Sequence, residues 1–309
     1  MSLTRILYLG TADIAVPTLA ALHAAPDLTV CGVCTQPDRP SGRKRRLTPS
    51  PVNLQAQALG LPVITPEKVS TAIDTMADWA PDLLVVFAYG QYLPRRLCGL
   101  PPLGAINLHP SLLPRYRGAS PIQSALLQGD TRSGLSIIRV AEKMDAGDLL
   151  SRTPLDIDPE DTAETLSHRF AQLAAQEILP AIRAIRDGTA VWTPQDESAV
   201  VECRKFAKAD GIADWQLPAS ELHNRVRAFQ PWPGMTFSCG GQPVKLLRTR
   251  VEPASGTPGT LLECGKQGLL IACGEQALRL LEVQPSGKNP MPCCDFLNGR
   301  TLTPGALLQ

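Results

Sequence analysis

From its first residues the chain alternates short apolar runs with segments in which apolar positions recur every three or four residues. Residues 5–10 form an apolar run that stops at Gly10, and 17–25 follow with helical spacing. The pattern then repeats: 28–35 predicts a strand, 51–59 a helix, 62–64 a short strand and 69–79 a helical stretch. Residues 83–88 are apolar without a break, as in a central strand covered on both faces. Further strands are predicted over 105–108 and 134–140, with a helix over 121–128 between them.

This alternation predicts an α/β fold with a doubly wound, mainly parallel, Rossmann-like sheet. A helix over 162–186 closes that part, and 187–198 reads as a linker. The pattern then changes. One helix over 220–228 is followed by strand candidates at 235–238, 243–249, 268–272 and 277–283, closely punctuated by glycine and proline. That predicts a smaller, OB-like β-barrel. The expected organisation is a catalytic domain over 1–189, a linker over 190–204 and a C-terminal barrel domain over 205–309, which suits a chain of 309 residues.

With 44% hydrophobic and 19% charged residues, the composition supports a sizeable core and argues against global disorder. The longest apolar runs fall well short of the roughly 18 residues that would span a bilayer, and the N-terminus lacks the layout of a secretion signal. A cytoplasmic protein with no membrane partner is expected. The nine cysteines are scattered and read as free thiols. Cys31 and Cys34 have metal-ligand spacing, but they lie in an apolar strand without a second pair, so core packing is the better account.

The net charge of +1 decides nothing about a nucleic-acid partner, whereas its distribution does. One dense basic cluster, Arg39 with Arg43, Lys44, Arg45 and Arg46, occupies a connection longer than the usual βα loop of about 2–6 residues. It is either a solvated charge run or a phosphate-binding arm anchored at both ends.

The chemistry concentrates in residues 104–118. Asn107 and His109 alternate with Ile106 and Leu108, so on a strand they share one side, and Pro110, Pro114 and Gly118 then force a turning loop. Of four histidines, His23, His168 and His223 fall in predicted helices, which leaves His109 placed for acid–base chemistry near neutral pH. A second polar turn, Asp145-Ala-Gly-Asp148, follows the strand over 134–140. Asp145 is the carboxylate expected beside His109, and Asp148 is expected to bind backbone within the turn. An Asn and a His can also close a strand merely to satisfy nearby backbone. Their position at the carboxyl edge of a doubly wound sheet, where ligands bind, weighs against that alternative.

Asn107-x-His109, Ser111-Leu-Leu-Pro114 and the downstream Asp145 together resemble the active site of the folate-dependent formyltransferases. Gly10-Thr11-Ala-Asp13, Gln36-Pro-Asp-Arg39-Pro40, Pro49-Ser-Pro51-Val52, Ala119-Ser-Pro121-Ile-Gln123, Phe229-Gln-Pro-Trp232-Pro233-Gly234 and Gly287-Lys288 extend the resemblance over nearly the whole chain. It is nearest to the branch whose acceptor is methionyl initiator tRNA. Ala12-Asp13-Ile14 and Gln230 depart from the commoner family residues.

The resemblance implies transfer of a formyl group from 10-formyltetrahydrofolate to the methionine amino group on that tRNA, without a metal. Asn107 and protonated His109 would stabilise the oxyanion, and Asp145 would hold the histidine and help take the amine proton. Ser111, Leu112, Leu113 and Pro114 would line the folate site. The basic loop would enter the acceptor end of the tRNA, with Arg43 at a position the family uses there and Lys44, Arg45 and Arg46 beside it. The barrel would bind the RNA more broadly, with Lys245, Arg248, Arg250 and Lys288 as candidates. A monomer is expected.

Other readings remain at this point. A formyl-folate enzyme could act on a small amine or on water, although neither needs the basic loop. A dinucleotide-dependent oxidoreductase lacks support, because Gly10-Thr-Ala-Asp has no three-glycine fingerprint. A pure RNA-binding module leaves Asn107, His109 and Asp145 unexplained.

Overall fold

The computed structural model describes residues 3–41, 46–298, 300 and 302–308. Arg43, Lys44 and Arg45, expected to contact RNA, lie outside the described residues.

Strand β1 (Thr4–Gly10) is buried from Ile6 to Leu9, which is why its sequence is apolar rather than alternating. Helix α1 (Val16–Ala24) leads to β2 (Leu28–Cys34), parallel to β1. The long connection that follows contains two short antiparallel strands, β3 (Arg39–Ser41) and β4 (Arg46–Thr48), with Arg39 opposite Thr48. Helix α2 (Pro51–Ala58) begins at Ser50, whose Oγ accepts the Asn53 N–H at 3.0 Å. A serine N-cap with proline at the first helical position is a strong start signal. That hydroxyl also lies 2.6 Å from Thr35 Oγ1, which fastens the exit of β2 to the helix.

Next come β5 (Val63–Ile64), α3 (Ile73–Asp78), β6 (Leu83–Phe87), α4 (Arg95–Cys98) and β7 (Ala105–His109). The helix expected over 69–79 is split: 69–72 form a 3-10 turn in which Thr71 Oγ1 donates to the Lys68 carbonyl, a local bond that competes with α-helix. Then follow β8 (Arg115–Gly118), α5 (Pro121–Leu127), β9 (Arg132–Arg139), β10 (Leu149–Asp156) and the long α6 (Ala163–Arg186).

Seven strands form one sheet in the order β10-β9-β7-β6-β1-β2-β5. Five of them, β5, β2, β1, β6 and β7, run parallel, and β9 is antiparallel to β7. The expected doubly wound, mainly parallel sheet is present. The order runs outward from β1 in both directions, so a crevice opens at the carboxyl ends of β1 and β6. There the loops after β1, β2 and β6 meet at one atom: the Tyr89 carbonyl accepts Thr11 Oγ1 at 2.8 Å and Gln36 Nε2 at 2.9 Å.

Cys31 and Cys34 lie in the apolar cluster with Leu7, Leu9, Met76 and Leu84, and burial pushes the Cys34 thiol up to about 11. Among the described residues no cysteine is joined in a disulfide.

Residues 190–200 are held down. Leu149 and Thr193 exchange backbone hydrogen bonds of 2.8 and 2.9 Å, and the Arg139 guanidinium lies 4.1 Å from the centre of the Trp192 ring. Beyond them β11 (Val201–Cys203) pairs with β8.

After α7 (Ala219–Ala228) come β12 (Met235–Cys239), β13 (Gln242–Glu252), β14 (Leu261–Gly265), β15 (Gly268–Ala272), β16 (Ala277–Pro285), β17 (Met291–Pro292) and α8 (Cys293–Phe296). The strands form an antiparallel sheet in the order β12-β13-β16-β15-β14, with β17 on β16, consistent with a small barrel. Its register shifts between Leu246 and Arg248 and shifts back between Arg248 and Thr249. Val244, Leu246 and Thr249 are buried, so the inward face passes from even to odd positions across Leu247 and Arg248, which puts Lys245, Arg248 and Arg250 on the same outward side.

The chain divides into two compact units. One comprises 1–121, 133–156 and 167–202, and the other 122–132, 157–166 and 203–309. Among the described residues no helix is long and apolar enough to cross a membrane.

Candidate active site

The site is built on the end of β7. Ile106 and Leu108 pack into the sheet, which turns Asn107 and His109 to the other side. His109 is 4% exposed, and its Nε2 lies 2.8 Å from the main-chain carbonyl of Tyr116. A carbonyl only accepts, so Nε2 carries the proton. Nδ1 faces Asp145 Oδ2 at 3.5 Å, while Asn107 Nδ2 donates to Asp145 Oδ1 at 3.4 Å. The three residues singled out in the sequence are therefore brought together by the fold, and Asp145 is the aspartate that meets the histidine.

Asp145 is tightly held. Its Oδ2 accepts the Gly118 N–H at 2.9 Å, and its backbone adopts φ of 53°, a left-handed conformation uncommon for a residue with a side chain. The turn needs Gly147, because a Cβ there would sit 1.9 Å from the Arg139 carbonyl oxygen.

Strand β8 supplies several of these contacts. Tyr116 gives its carbonyl to His109 and Gly118 its N–H to Asp145. Arg117, between them and 3% exposed, donates from Nε and Nη2 to Gln195 Oε1 at 3.0 and 2.8 Å and from Nη2 to Glu197 Oε1 at 2.7 Å. The Arg117 guanidinium beside Glu197 holds that carboxyl below its usual range, and burial opposes the shift. Nothing in the sequence pattern marks Tyr116, Arg117 or Gln195 for these contacts, and it marks Gly118 only as a turn former. The available signal was a run of polar residues, Gln195-Asp196-Glu197, inside a stretch that otherwise reads as a linker.

Ser111 and Leu113 are fully buried. Ser111 Oγ donates to the Arg115 carbonyl at 2.6 Å, and the Leu113 N–H donates to Ser136 Oγ at 3.0 Å. Leu113 packs with Ile138 and Leu149, Pro114 is buried, and Leu112 is half-buried.

The basic candidates separate by location. Arg46 is exposed at the start of β4, and Lys288 is exposed in the turn after β16. Arg248 lies 3.6 Å from Glu160, and Arg250 lies 2.6 Å from Glu252. A cavity of about 270 Å3 lined by Glu160, His223, Arg227 and Arg248 lies in the unit containing 203–309 and includes none of Asn107, His109 or Asp145. Among the described residues no cluster of His, Cys, Asp or Glu could hold a metal ion.

A doubly wound sheet carrying a buried histidine, an amide donor and a carboxylate at its open edge defines a class of group-transfer enzyme. Two family models agree: "Formyl transferase" matches residues 4–182 and "Formyl transferase, C-terminal domain" matches 205–301. The chain belongs to the formyl transferase family, in its methionyl-tRNA formyltransferase branch. A methionyl-tRNA formyltransferase of Desulfotalea psychrophila is 41% identical over 309 residues, which covers 99% of this chain and 95% of that one. Among solved structures the fold matches WlaRD, a sugar 3N-formyl transferase, with a TM-score of 0.66 at 16% identity, covering 94% of this chain and 100% of that one. It also matches HypX of Aquifex aeolicus, solved with tetrahydrofolic acid, with a TM-score of 0.65 at 15% identity, covering 99% of this chain. This chain spans 51% of HypX.

Proposed function

We propose that the protein transfers the formyl group of 10-formyltetrahydrofolate to the free amino group of methionine carried by initiator tRNA, giving N-formylmethionyl-tRNA. The observation that carries this reading is the meeting of Asn107, His109 and Asp145 at the open edge of the sheet, in a chain of this family.

The amine attacks the formyl carbon, a C–N bond forms, and the formyl oxygen takes up negative charge. That oxygen is stabilised by Asn107 Nδ2 and by His109, whose Nδ1 carries a proton in the imidazolium form. One such donor is typically worth about 100- to 1000-fold in rate. Asp145 orients the imidazolium and helps take the proton of the attacking amine, a contribution of order 100- to 10,000-fold. The intermediate collapses as the bond to the folate nitrogen breaks and that nitrogen is protonated.

Residues 1–189 are assigned the formyl-folate chemistry, 190–204 the connection and 205–309 the RNA. The folate lies along Ser111, Leu112, Leu113 and Pro114, and the inward packing of Ser111 and Leu113 favours main-chain contacts. Arg43, Lys44, Arg45 and Arg46 grip the acceptor end, and Lys245, Arg248, Arg250 and Lys288 meet phosphates further away. The pair of Arg248 with Glu160 is an exposed one of about 0–1 kcal/mol, readily exchanged for phosphate, and Arg250 is itself exposed beside the half-buried Glu252. The protein acts as a monomer in the cytosol.

The test supplies 10-formyltetrahydrofolate and compares methionyl initiator tRNA with free methionine as acceptors. Formyl transfer should depend on the tRNA. Equal efficiency with free methionine would overturn the acceptor assignment.

A further inference from the structure

Gln195 lies 50 residues beyond Asp145, in the stretch that reads as a linker, yet every hydrogen-bonding position of its carboxamide is used at the candidate site. Its Nε2 donates to the Asp145 carbonyl at 2.7 Å and to the Gly147 carbonyl at 2.7 Å. Its Oε1 accepts from Arg117 Nε at 3.0 Å and from Arg117 Nη2 at 2.8 Å. The partners fix the orientation of the amide: turned over, it would set its oxygen against two carbonyls and its NH2 against a guanidinium.

The two carbonyls belong to the turn that gives Asp145 its φ of 53°. A residue with a side chain enters that region at a cost and stays there only where its surroundings hold it. Arg117 precedes Gly118, whose N–H holds Asp145 Oδ2, so β8 grips Asp145 twice: once directly by its carboxylate and once through Gln195 by its backbone. Thr193, bridged to Leu149, and Trp192, under the Arg139 guanidinium, anchor the segment just before Gln195. Glu197 anchors it just after, through Arg117 and through Lys143 Nζ at 3.4 Å.

We infer that Gln195 is a positioning residue for formyl transfer, holding the left-handed turn that aims the Asp145 carboxylate at His109 and Asn107. The segment expected to join two domains is thereby part of the catalytic apparatus. This inference rests on the reading of Asp145 as a catalytic group.

The test measures turnover with methionyl initiator tRNA for Gln195→Met, which keeps the length and removes the hydrogen bonds, in the wild-type and Asp145→Ala backgrounds. In the wild-type background kcat should fall about 10- to 100-fold with KM for folate and for tRNA within about 3-fold, the size expected when a reacting group shifts by around 1 Å. In the Asp145→Ala background the same change should cost less than about 3-fold, because a residue that acts only through Asp145 has nothing left to position. A merely structural role predicts equal factors in both backgrounds, and that result would overturn the inference. Gln195→Glu is the second variant: it keeps the partnership with Arg117 while placing an acceptor against the two carbonyls. It should retain the melting temperature and still lose kcat, and wild-type kcat in folded Gln195→Glu would also overturn the inference. Undiminished turnover in Asp145→Ala alone would instead overturn the catalytic reading of Asp145.

Discussion

The Nε2 of His109 lies 2.8 Å from the carbonyl oxygen of Tyr116, so Nδ1 is the ring nitrogen left for Asp145 and for substrate. The ring is buried, and this hydrogen bond fixes which of its edges faces the site. His109→Ala and Asn107→Ala should each lower formyl transfer at least about 100-fold while folate affinity stays near wild type. Single-turnover kinetics and calorimetric folate titration check this. Near-normal turnover in both would refute the assigned roles.

Gly147→Ala should damage the site without touching any reacting group. The added methyl would meet the Arg139 carbonyl at 1.9 Å, and backbone cannot yield as a flexible side chain can. Turnover should fall about 10-fold or more, and the melting temperature should fall with it. Gly265→Ala is the control, because a methyl there meets nothing within 4 Å. Equal behaviour of the two variants would show that the turn tolerates displacement.

Arg43, Lys44 and Arg45 fall in the sequence between β3 and β4, which pair with each other. Replacing Arg43, Lys44, Arg45 and Arg46 with alanine should raise KM for the tRNA and leave kcat at saturation nearly unchanged. The dependence of log KM on log salt should flatten by roughly 0.7–0.9 for each phosphate no longer neutralised. An unchanged slope would return the loop to a solvated charge run.

Acid should loosen the C-terminal sheet through Glu252. Hydrogen bonds from Arg279 and then Arg250 lower its carboxyl from the ordinary glutamate range to about 2, against the opposing effect of burial. A carboxyl depressed on folding stabilises the folded state above its unfolded pKa of about 4.3. That contribution is lost as pH falls from there toward 2. Glu252→Gln should lower the melting temperature at pH 7 by roughly 5 °C, since Arg279 is 3% exposed and keeps only Glu263. The gap from wild type should shrink as both are acidified. A gap that stays constant down to pH 2 would contradict the assignment.

The parts of the fold that showed in the sequence were those set by local pattern. The unbroken apolar runs at β1 and β6 mark central strands because both faces are covered, and Ser50-Pro51 marks a helix start because a cap and a fixed φ act within one turn. Strand β10 was hidden by Pro154, which a strand at the edge of the sheet tolerates. Asn107 and His109 showed because two residues apart on a strand means one side. The clamp of Arg117, Gln195 and Glu197 did not show, since its partners lie 78 and 80 residues apart and no periodicity links them. Nothing local to Gln195 says that its amide will find the carbonyls of Asp145 and Gly147.

The register change at Leu247 gives the outward row of Lys245, Arg248 and Arg250 an unusual vulnerability. Substituting Leu247 leaves the count of residues intact and with it the row. Straightening the strand at this point with Leu247 kept would restore strict alternation and turn Lys245 away from the two arginines without altering a single charge, whereas deleting Leu247 would set the three at alternate positions and keep them together. During divergence of this sheet, a change of backbone path at this point would therefore redraw its electrostatic surface more sharply than exchanges of lysine for neutral residues, and charge composition alone would not record the change.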